Sequence, residues 1–387
     1  MVNLLIETDT FDKGGLQKVI LDLALRFDKN KFNTSIVSIG NTGFLSDIAV
    51  KKGIKVFDLS SVKDKEKKYK EILEENNINL ICSHYSNFGY LIGNKLSIKN
   101  ITYIHNVYAF LSKDKIKEFQ DDDKYVDLYI SVSDKAKEYA IERLKIDADK
   151  IITIPNGLIL EEHIAREKIA EKLDRKDFNV SESDYVFLNV ATYNLHKGHY
   201  LMMDAMRHIL KTRTDIKILC IGNVFYQPHA DMLDRDLKDF GLDKYISLIG
   251  YHPDIESFHK MADAFLLPSF IEGWSIAMTE AMYYGKPMVL TDTGGSSTVI
   301  ENDDIGILVP NEYGASLNLY ATYLDSLAHD VKTYKTSKIL ADAMMNFADN
   351  REYWKEAGKK GKIKVLEKYD LNKIIIETER IYLDLLK

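Results

Sequence analysis

Two doubly wound α/β halves of similar size are the fold class that the sequence predicts, on three observations. Short apolar runs of strand length alternate with helical segments from residue 2 to about residue 154. Repeated strand–helix units of this kind imply a parallel sheet with helices packed on it. A strongly charged stretch, about Leu158–Ser183, then breaks the pattern, and the same alternation resumes at Tyr185. Finally, 387 residues suffice for two to three domains that each bury a core.

In the first half, Val2–Glu7 reads as a strand, Thr8–Gly15 as its loop and Leu16–Phe27 as a helix. Leu16, Val19, Ile20, Leu23 and Leu25 give that helix an apolar face. Further strands are predicted near Thr34–Ile39, Lys55–Leu59, Asn79–Ser83, Ile101–His105, Leu128–Val132 and Ile151–Ile154. Ligands of such sheets bind at the carboxyl ends of the strands, where three features stand out. Gly14–Gly15 ends the first loop and opens its helix, where glycine lets backbone approach a phosphate; a plain tight turn fits equally well. The pair is not G-x-G-x-x-G, so the fingerprint of nicotinamide binding is missing. His105, in T-Y-I-H-N, leaves a strand for a loop, either as a structural hydrogen-bonder or facing a ligand. I-P-N-G, Ile154–Gly157, is a turn after the last strand of this half.

The charged stretch reads as linker and short helix. Tyr185–Val190 then starts the second alternation, followed by the loop Ala191–Lys197 and a helix over about Gly198–Lys211. Strands Ile216–Ile221, Ile246–Ile249, Ala264–Leu267, Met288–Leu290 and Gly306–Val309 come next. Gly250–Ile255 (G-Y-H-P-D-I) reads as a capped helix start, and about Ala315–Lys387 as an amphipathic helical tail with Trp354, Leu366 and Tyr369 on its apolar side.

The densest stretch is Leu267–Gly295, L-P-S-F-I-E-G-W-S-I-A-M-T-E-A-M-Y-Y-G-K-P-M-V-L-T-D-T-G-G. Pro268 ends a buried strand, Ser275 is a candidate N-cap for a helix over about Ile276–Tyr284, and Gly285 with Pro287 stops it. A helix N-terminus offers unpaired N–H groups and partial positive charge, which suits phosphate. Glu272 lies just outside that end and Glu280 about one turn inside it. Eight helical residues rise about 12 Å, wider than the roughly 5–9.5 Å between the carboxylates of a glycosidase pair. These two are better placed to hold opposite ends of one elongated ligand.

P-S-x-x-E-G-W-x-x-x-x-x-E-A-M-x-x-G-x-P resembles the signature of retaining GT-B glycosyltransferases of the family-4 type (glycosyl transferases group 1). The resemblance covers nearly the whole chain and implies two Rossmann-like doubly wound parallel-sheet domains facing across a cleft, with a C-terminal helix, about Leu371–Leu386, returning to the first. The expected division is 1–175 for acceptor binding, 176–368 for nucleotide-sugar binding and 369–387 for the returning helix. By the same resemblance Glu280 holds the nucleotide ribose, Glu272 contacts the donor sugar, and His105 lines the sugar site. Gly14, Gly15 and the backbone of Gly273, Trp274, Ser275 and Ile276 cradle the diphosphate. Lys197, in N-L-H-K-G-H, pairs with the diphosphate, and Tyr251 lies on the loop along the nucleobase. Gly294–Gly295 and Asp304–Pro310 shape the cleft. The family usually carries an arginine five or six residues before the lysine; here those positions are Thr192 and Ala191.

The implied activity is transfer of a sugar from a nucleotide-sugar, a UDP- or GDP-sugar, to a glycan or lipid-linked acceptor, with retention and without metal or other cofactor. The leaving phosphate takes the acceptor proton, and the product is a surface polysaccharide or glycolipid. Asp121–Asp123 is a charged run rather than a D-x-D metal loop. Acceptor choice falls to the loops His84–Tyr90 and Asn106–Lys117, with Tyr85, Phe88, Tyr90, Tyr108 and Phe110. A nucleotide-sugar 2-epimerase of the same architecture and a catalytically degenerate sugar-binding subunit are the alternatives.

Composition agrees with a soluble protein, at 45% hydrophobic and 29% charged residues. A net charge of −7 argues against nucleic acid as a partner. Cys82 and Cys220 sit at the ends of apolar runs in different halves and read as buried thiols of a reducing compartment. No apolar run approaches the ~20 residues of a membrane span, and the N-terminus lacks a signal peptide's pattern. The expectation is cytoplasmic. Lysines cluster at Lys63–Lys70 and Lys113–Lys117, read first as solvated helix faces and second as peripheral contact with the inner face of the membrane.

Overall fold

The computed structural model describes residues 1–302, 304–319 and 333–387. Among these, the chain forms two compact units: Met1–Tyr108 with Ser112–Asn156 and Leu371–Lys387, and Ala109–Leu111 with Gly157–Asp370. The tail expected over Ala315–Lys387 falls partly on 320–332, outside the described residues.

Among the described residues the first unit has seven strands: β1 (Val2–Thr8), β2 (Phe32–Ser38), β3 (Lys55–Asp58), β4 (Leu80–His84), β5 (Lys99–Ile104), β6 (Leu128–Ser131) and β7 (Ile151–Thr153). They are all parallel, in the order β3-β2-β1-β4-β5-β6-β7. Leu4, Leu5, Ile6, Leu80, Ile81 and Cys82 are buried whichever way they point, as a sheet covered on both faces requires. Strand order reverses between β1 and β4, which opens the crevice of a doubly wound sheet at their carboxyl ends. His105 lies one residue past β5, where the sequence had placed it inside the strand.

The last helix, Leu371–Leu385, is part of this unit. Its Glu379 carboxylate accepts from the Asp28 backbone N–H at 2.6 Å and pairs with Lys31 at 2.8 Å. The ring of Tyr382 packs 5.5 Å from that of Phe27.

The second unit has six described strands: β8 (Tyr185–Val190), β9 (Ile216–Ile221), β10 (Ile246–Gly250), β11 (Ala264–Leu267), β12 (Met288–Thr291) and β13 (Gly306–Val309). They run parallel in the order β10-β9-β8-β11-β12-β13, so the reversal here lies between β8 and β11. The division of the chain falls at Asn156–Gly157 rather than near residue 175, because the helix Leu160–Ile169 packs in this unit. Tyr283 Oη donates to Glu167 at 3.2 Å, and Lys260 Nζ donates to the Glu167 carbonyl at 2.7 Å. Trp354 stacks on Phe347 with centroids 4.1 Å apart, and Tyr369 is buried. Leu366, expected on the apolar side, is exposed.

Most lysines of the first cluster are engaged with neighbouring groups. Lys68 pairs with Glu71 at 2.9 Å, Lys70 with Glu74 at 3.7 Å, and Lys65 donates to the Ile39 carbonyl. Lys115 pairs with Glu118 at 2.6 Å. This is the pattern of a solvated helix face. Among the described residues, no helix is long and apolar enough to cross a membrane.

Candidate functional site

In the second unit the loops after β8 and β11 meet at the reversal of strand order. Phe270 N–H donates to the His196 carbonyl at 2.8 Å, tying one loop to the other. Gly198, at φ 72°, allows this approach: a Cβ there would stand 2.1 Å from the Pro268 carbonyl oxygen, and the left-handed backbone itself favours glycine. With the loops held together, Lys197 Nζ reaches Glu272 Oε1 at 2.5 Å. Both side chains are largely shielded, at 23% and 10% exposure, so the attraction is stronger than that of a surface pair.

Gly294 and Gly295 support the loop from beneath. A Cβ on Gly294 would lie 2.4 Å from the Gly273 carbonyl oxygen, and one on Gly295 2.3 Å from the Trp274 ring. Glu272 N–H donates to Thr293 Oγ1 at 3.3 Å, fixing the carboxylate's backbone. Ser275 Oγ then caps the helix Ile276–Tyr283 through Met278 N–H at 3.2 Å. Glu280 stands about 6 Å along that helix from its start, at about 1.5 Å per residue, and remains partly exposed. His163 Nε2 is 4.0 Å from its Oε1.

Trp274, expected to offer the diphosphate its backbone, places its side chain in the core. It is buried, its Nε1 donates to Thr279 Oγ1 at 3.0 Å, and its ring packs 4.9 Å from Tyr369, leaving only backbone for a ligand. Tyr251, beyond β10, is 67% exposed and open to a stacking partner. Asp254 caps the helix Ile255–Met261 through Ser257 N–H. Where the arginine was expected, Ala191 and Thr192 stand beside Tyr193, which sequence reasoning passed over. Tyr193 Oη donates to the Cys220 carbonyl and accepts from Gly250 N–H, both at 2.9 Å, joining β8's loop to β9 and β10.

In the first unit, Gly14 precedes the helix Gly15–Arg26, with no side chain capping its first N–H groups. Gln17 Nε2 donates to Thr10 Oγ1 at 3.1 Å and closes the loop. His105 Nε2 is 2.7 Å from Nδ1 of His84, which the sequence marks only as the start of the loop His84–Tyr90. Burial pushes the His105 pKa down to about 3 and that of His84 well below the usual range, so both rings are neutral. Tyr85, beside them, takes φ 57°, uncommon for a non-glycine residue. Of the other loop aromatics, Tyr90 and Tyr108 are core residues, while Phe110 and Tyr85 are exposed. Asp122 accepts from Tyr90 Oη and Asp123 pairs with Lys150, so two carboxylates of the run 121–123 have structural partners.

Family models match within both units. The family model for glycosyl transferases group 1 matches residues 170–360, and that for glycosyltransferase family 4 matches residues 13–162. The chain belongs to the group 1 glycosyltransferases. The UDP-Gal:alpha-D-GlcNAc-diphosphoundecaprenol alpha-1,3-galactosyltransferase of Escherichia coli is 25% identical, over 66% of this chain and 68% of its own length. N-acetyl-alpha-D-glucosaminyl L-malate synthase of Bacillus anthracis is 23% identical, over 55% of this chain and 49% of its own. Among solved structures, Anabaena HepE in complex with UDP and glucose superposes with a TM-score of 0.81 at 15% identity, covering 99% of this chain and 100% of that one. A glycosyltransferase from Rickettsia africae gives 0.78 at 18% identity, covering 100% and 99%. The fold of this glycosyltransferase is GT-B, and its donor is a nucleotide sugar.

Proposed function

We propose that this glycosyltransferase moves a hexose from a UDP-sugar to a glycan or lipid-linked acceptor, with retention and without metal, in the synthesis of a surface polysaccharide or glycolipid. The observation that carries the reading is the Lys197–Glu272 pair beside the capped helix start at Ser275, with Glu280 one turn inside. A lysine and a helix N-terminus side by side suit a diphosphate, and they stabilise charge on the departing nucleotide. A carboxylate on each side suits hydroxyls: Glu272 those of the sugar and Glu280 those of the ribose. Retention, freedom from metal, and the roles of His105 and Gly14–Gly15 come from the family resemblance. In that scheme the leaving phosphate takes the acceptor proton. UDP is preferred over GDP because HepE was solved with UDP and the E. coli relative is named for UDP-Gal. A lipid-diphosphate acceptor is supported by the name of that same relative.

Calorimetric binding of UDP-glucose, UDP-galactose, UDP-N-acetylglucosamine, GDP-mannose and ADP-glucose tests the donor site. One UDP-sugar should bind, and Glu280→Ala should weaken it by about 1–3 kcal/mol, the worth of a hydrogen bond to a charged group. Equal affinity in the variant would remove Glu280 from the site. Turnover undiminished by EDTA and an anomeric coupling that matches donor and product test the remaining claims.

A further inference from the structure

Four side chains able to exchange hydrogens stand on one face of the first unit's sheet. Cys82 and His84 are two residues apart on β4, Tyr103 is on β5, and His105 follows it by two. The register sets His84 against Tyr103, and alternate residues share a face. A fifth, Tyr382, comes from the helix Leu371–Leu385. The contacts run without a break: Tyr103 Oη to Tyr382 Oη 3.2 Å, Tyr382 Oη to Cys82 Sγ 3.1 Å, Cys82 Sγ to His84 Nε2 3.3 Å, His84 Nδ1 to His105 Nε2 2.7 Å. Every member but His105 is buried.

We propose that this relay holds His105 in the tautomer protonated at Nε2, so that Nδ1 offers a lone pair to a hydroxyl, with Cys82, His84 and Tyr382 as positioning residues. The use of that lone pair in transfer rests on the assignment of His105 to the donor sugar.

The polarity follows from counting hydrogens along the chain. Tyr382 donates to the Tyr103 oxygen. Having given its one hydrogen there, it can only accept from Cys82, whose thiol stays protonated because burial pushes its pKa up to about 12. The sulfur has no second hydrogen, so toward His84 it accepts. His84 therefore bears its hydrogen on Nε2 and a lone pair on Nδ1. The hydrogen in the 2.7 Å contact then belongs to His105 Nε2. The rings of Tyr103 and Tyr85 lie 5.4 and 5.7 Å from that of His105, tilted by 17° and 30°, and limit its rotation.

Histidine-selective nitrogen-15 labelling of the full chain, read through long-range proton–nitrogen couplings, reports which nitrogen of a neutral imidazole is protonated; His105→Gln assigns the signal. The wild type should show His105 protonated at Nε2 at about pH 7. Tyr382→Phe and Cys82→Ala each break the relay and should give a mixture of tautomers, whereas Cys82→Ser, with one donor and a free acceptor, should restore the single form. His84→Phe can disturb the core, so the milder variants carry the test. Protonation at Nδ1 in the wild type would overturn the polarity, and an unchanged tautomer in both relay-breaking variants would overturn the positioning role. With the UDP-sugar selected by the binding panel, Cys82→Ala should lower kcat about ten-fold with little change in KM, the worth of one hydrogen bond, and Cys82→Ser should recover it. A shifted tautomer with unchanged kcat would uphold the relay and remove His105 from catalysis instead.

Discussion

The two units hold their polar groups in opposite ways. In the second, Lys197 and Glu272 are charged, partly exposed and set on loops that glycines and backbone hydrogen bonds bring together. In the first, burial keeps His84, His105 and Cys82 uncharged and raises the Glu7 pKa to about 7, all of them on or just past strands of one sheet. Charge is useful where a diphosphate must be met, because a fixed cation near a forming anion lowers its energy without reorganisation. Neutral groups are useful where direction matters more than field, since a neutral imidazole presents one donor and one acceptor in fixed places. A charged lysine and a neutral histidine are thus not interchangeable devices.

The largest effect that would test this contrast is on the charged side. Lys197→Ala should lower kcat/KM by about 10²–10³, the scale for loss of one preorganised electrostatic contact. A loss under about three-fold in steady-state kinetics would move the diphosphate contact elsewhere.

On the neutral side the sharpest measurement is of stability against pH. Burial raises the Glu7 pKa from 4.5 to about 7, opposed by hydrogen bonds from Ser86, Tyr69 and the Gly89 and Phe88 backbone. The folded chain therefore keeps a proton that the unfolded chain releases near pH 4.5, and stability should fall as pH rises from there through about 7. The loss should reach roughly 3 kcal/mol by pH 8, at about 1.4 kcal/mol per unit. Glu7→Gln should flatten the curve, as urea titrations at pH 5 and 8 would reveal. A wild-type stability that is flat over that range would mean Glu7 is ionised in the fold.

The smallest effect is steric. Gly198→Ala forces a left-handed alanine against the Pro268 carbonyl and should cost about 1–3 kcal/mol, lowering the melting temperature by several degrees. Donor affinity should fall with it, because the variant pushes Lys197 away from Glu272. Unchanged calorimetry would show that the two loops have room to spare.

The same contrast explains what could be read in advance. The second unit's site is written within short segments: E-x7-E, its N-cap serine and its G-x-P stop lie in one run, and K-G follows a strand. The seven-strand and six-strand alternations were visible because each element is a short apolar run. What stayed hidden depends on which strands are neighbours. C-S-H at the end of one strand and T-Y-I-H running out of the next carry the period-two signal that puts Cys82, His84, Tyr103 and His105 on one face. That signal means nothing until β4 is known to lie beside β5. The unit boundary was misplaced because the charged face of the helix Leu160–Ile169 resembles linker, although Glu167 and His163 engage Tyr283 within the second unit.

The membership of the helix Leu371–Leu385 sets an order of events during translation. Between Asn156 and Leu371 the ribosome must make the 214 residues Gly157–Asp370, and these belong to the other unit. At about 5–20 residues per second this takes roughly 10–40 s. Throughout that interval Phe27, Phe32 and Cys82 await Tyr382, and Lys31 awaits Glu379. The second unit is contiguous apart from Ala109–Leu111, so nearly all of it is available while the first is still missing its last piece. The nascent chain therefore completes its units in reverse of their sequence order, and its first-made surface is the last to be covered.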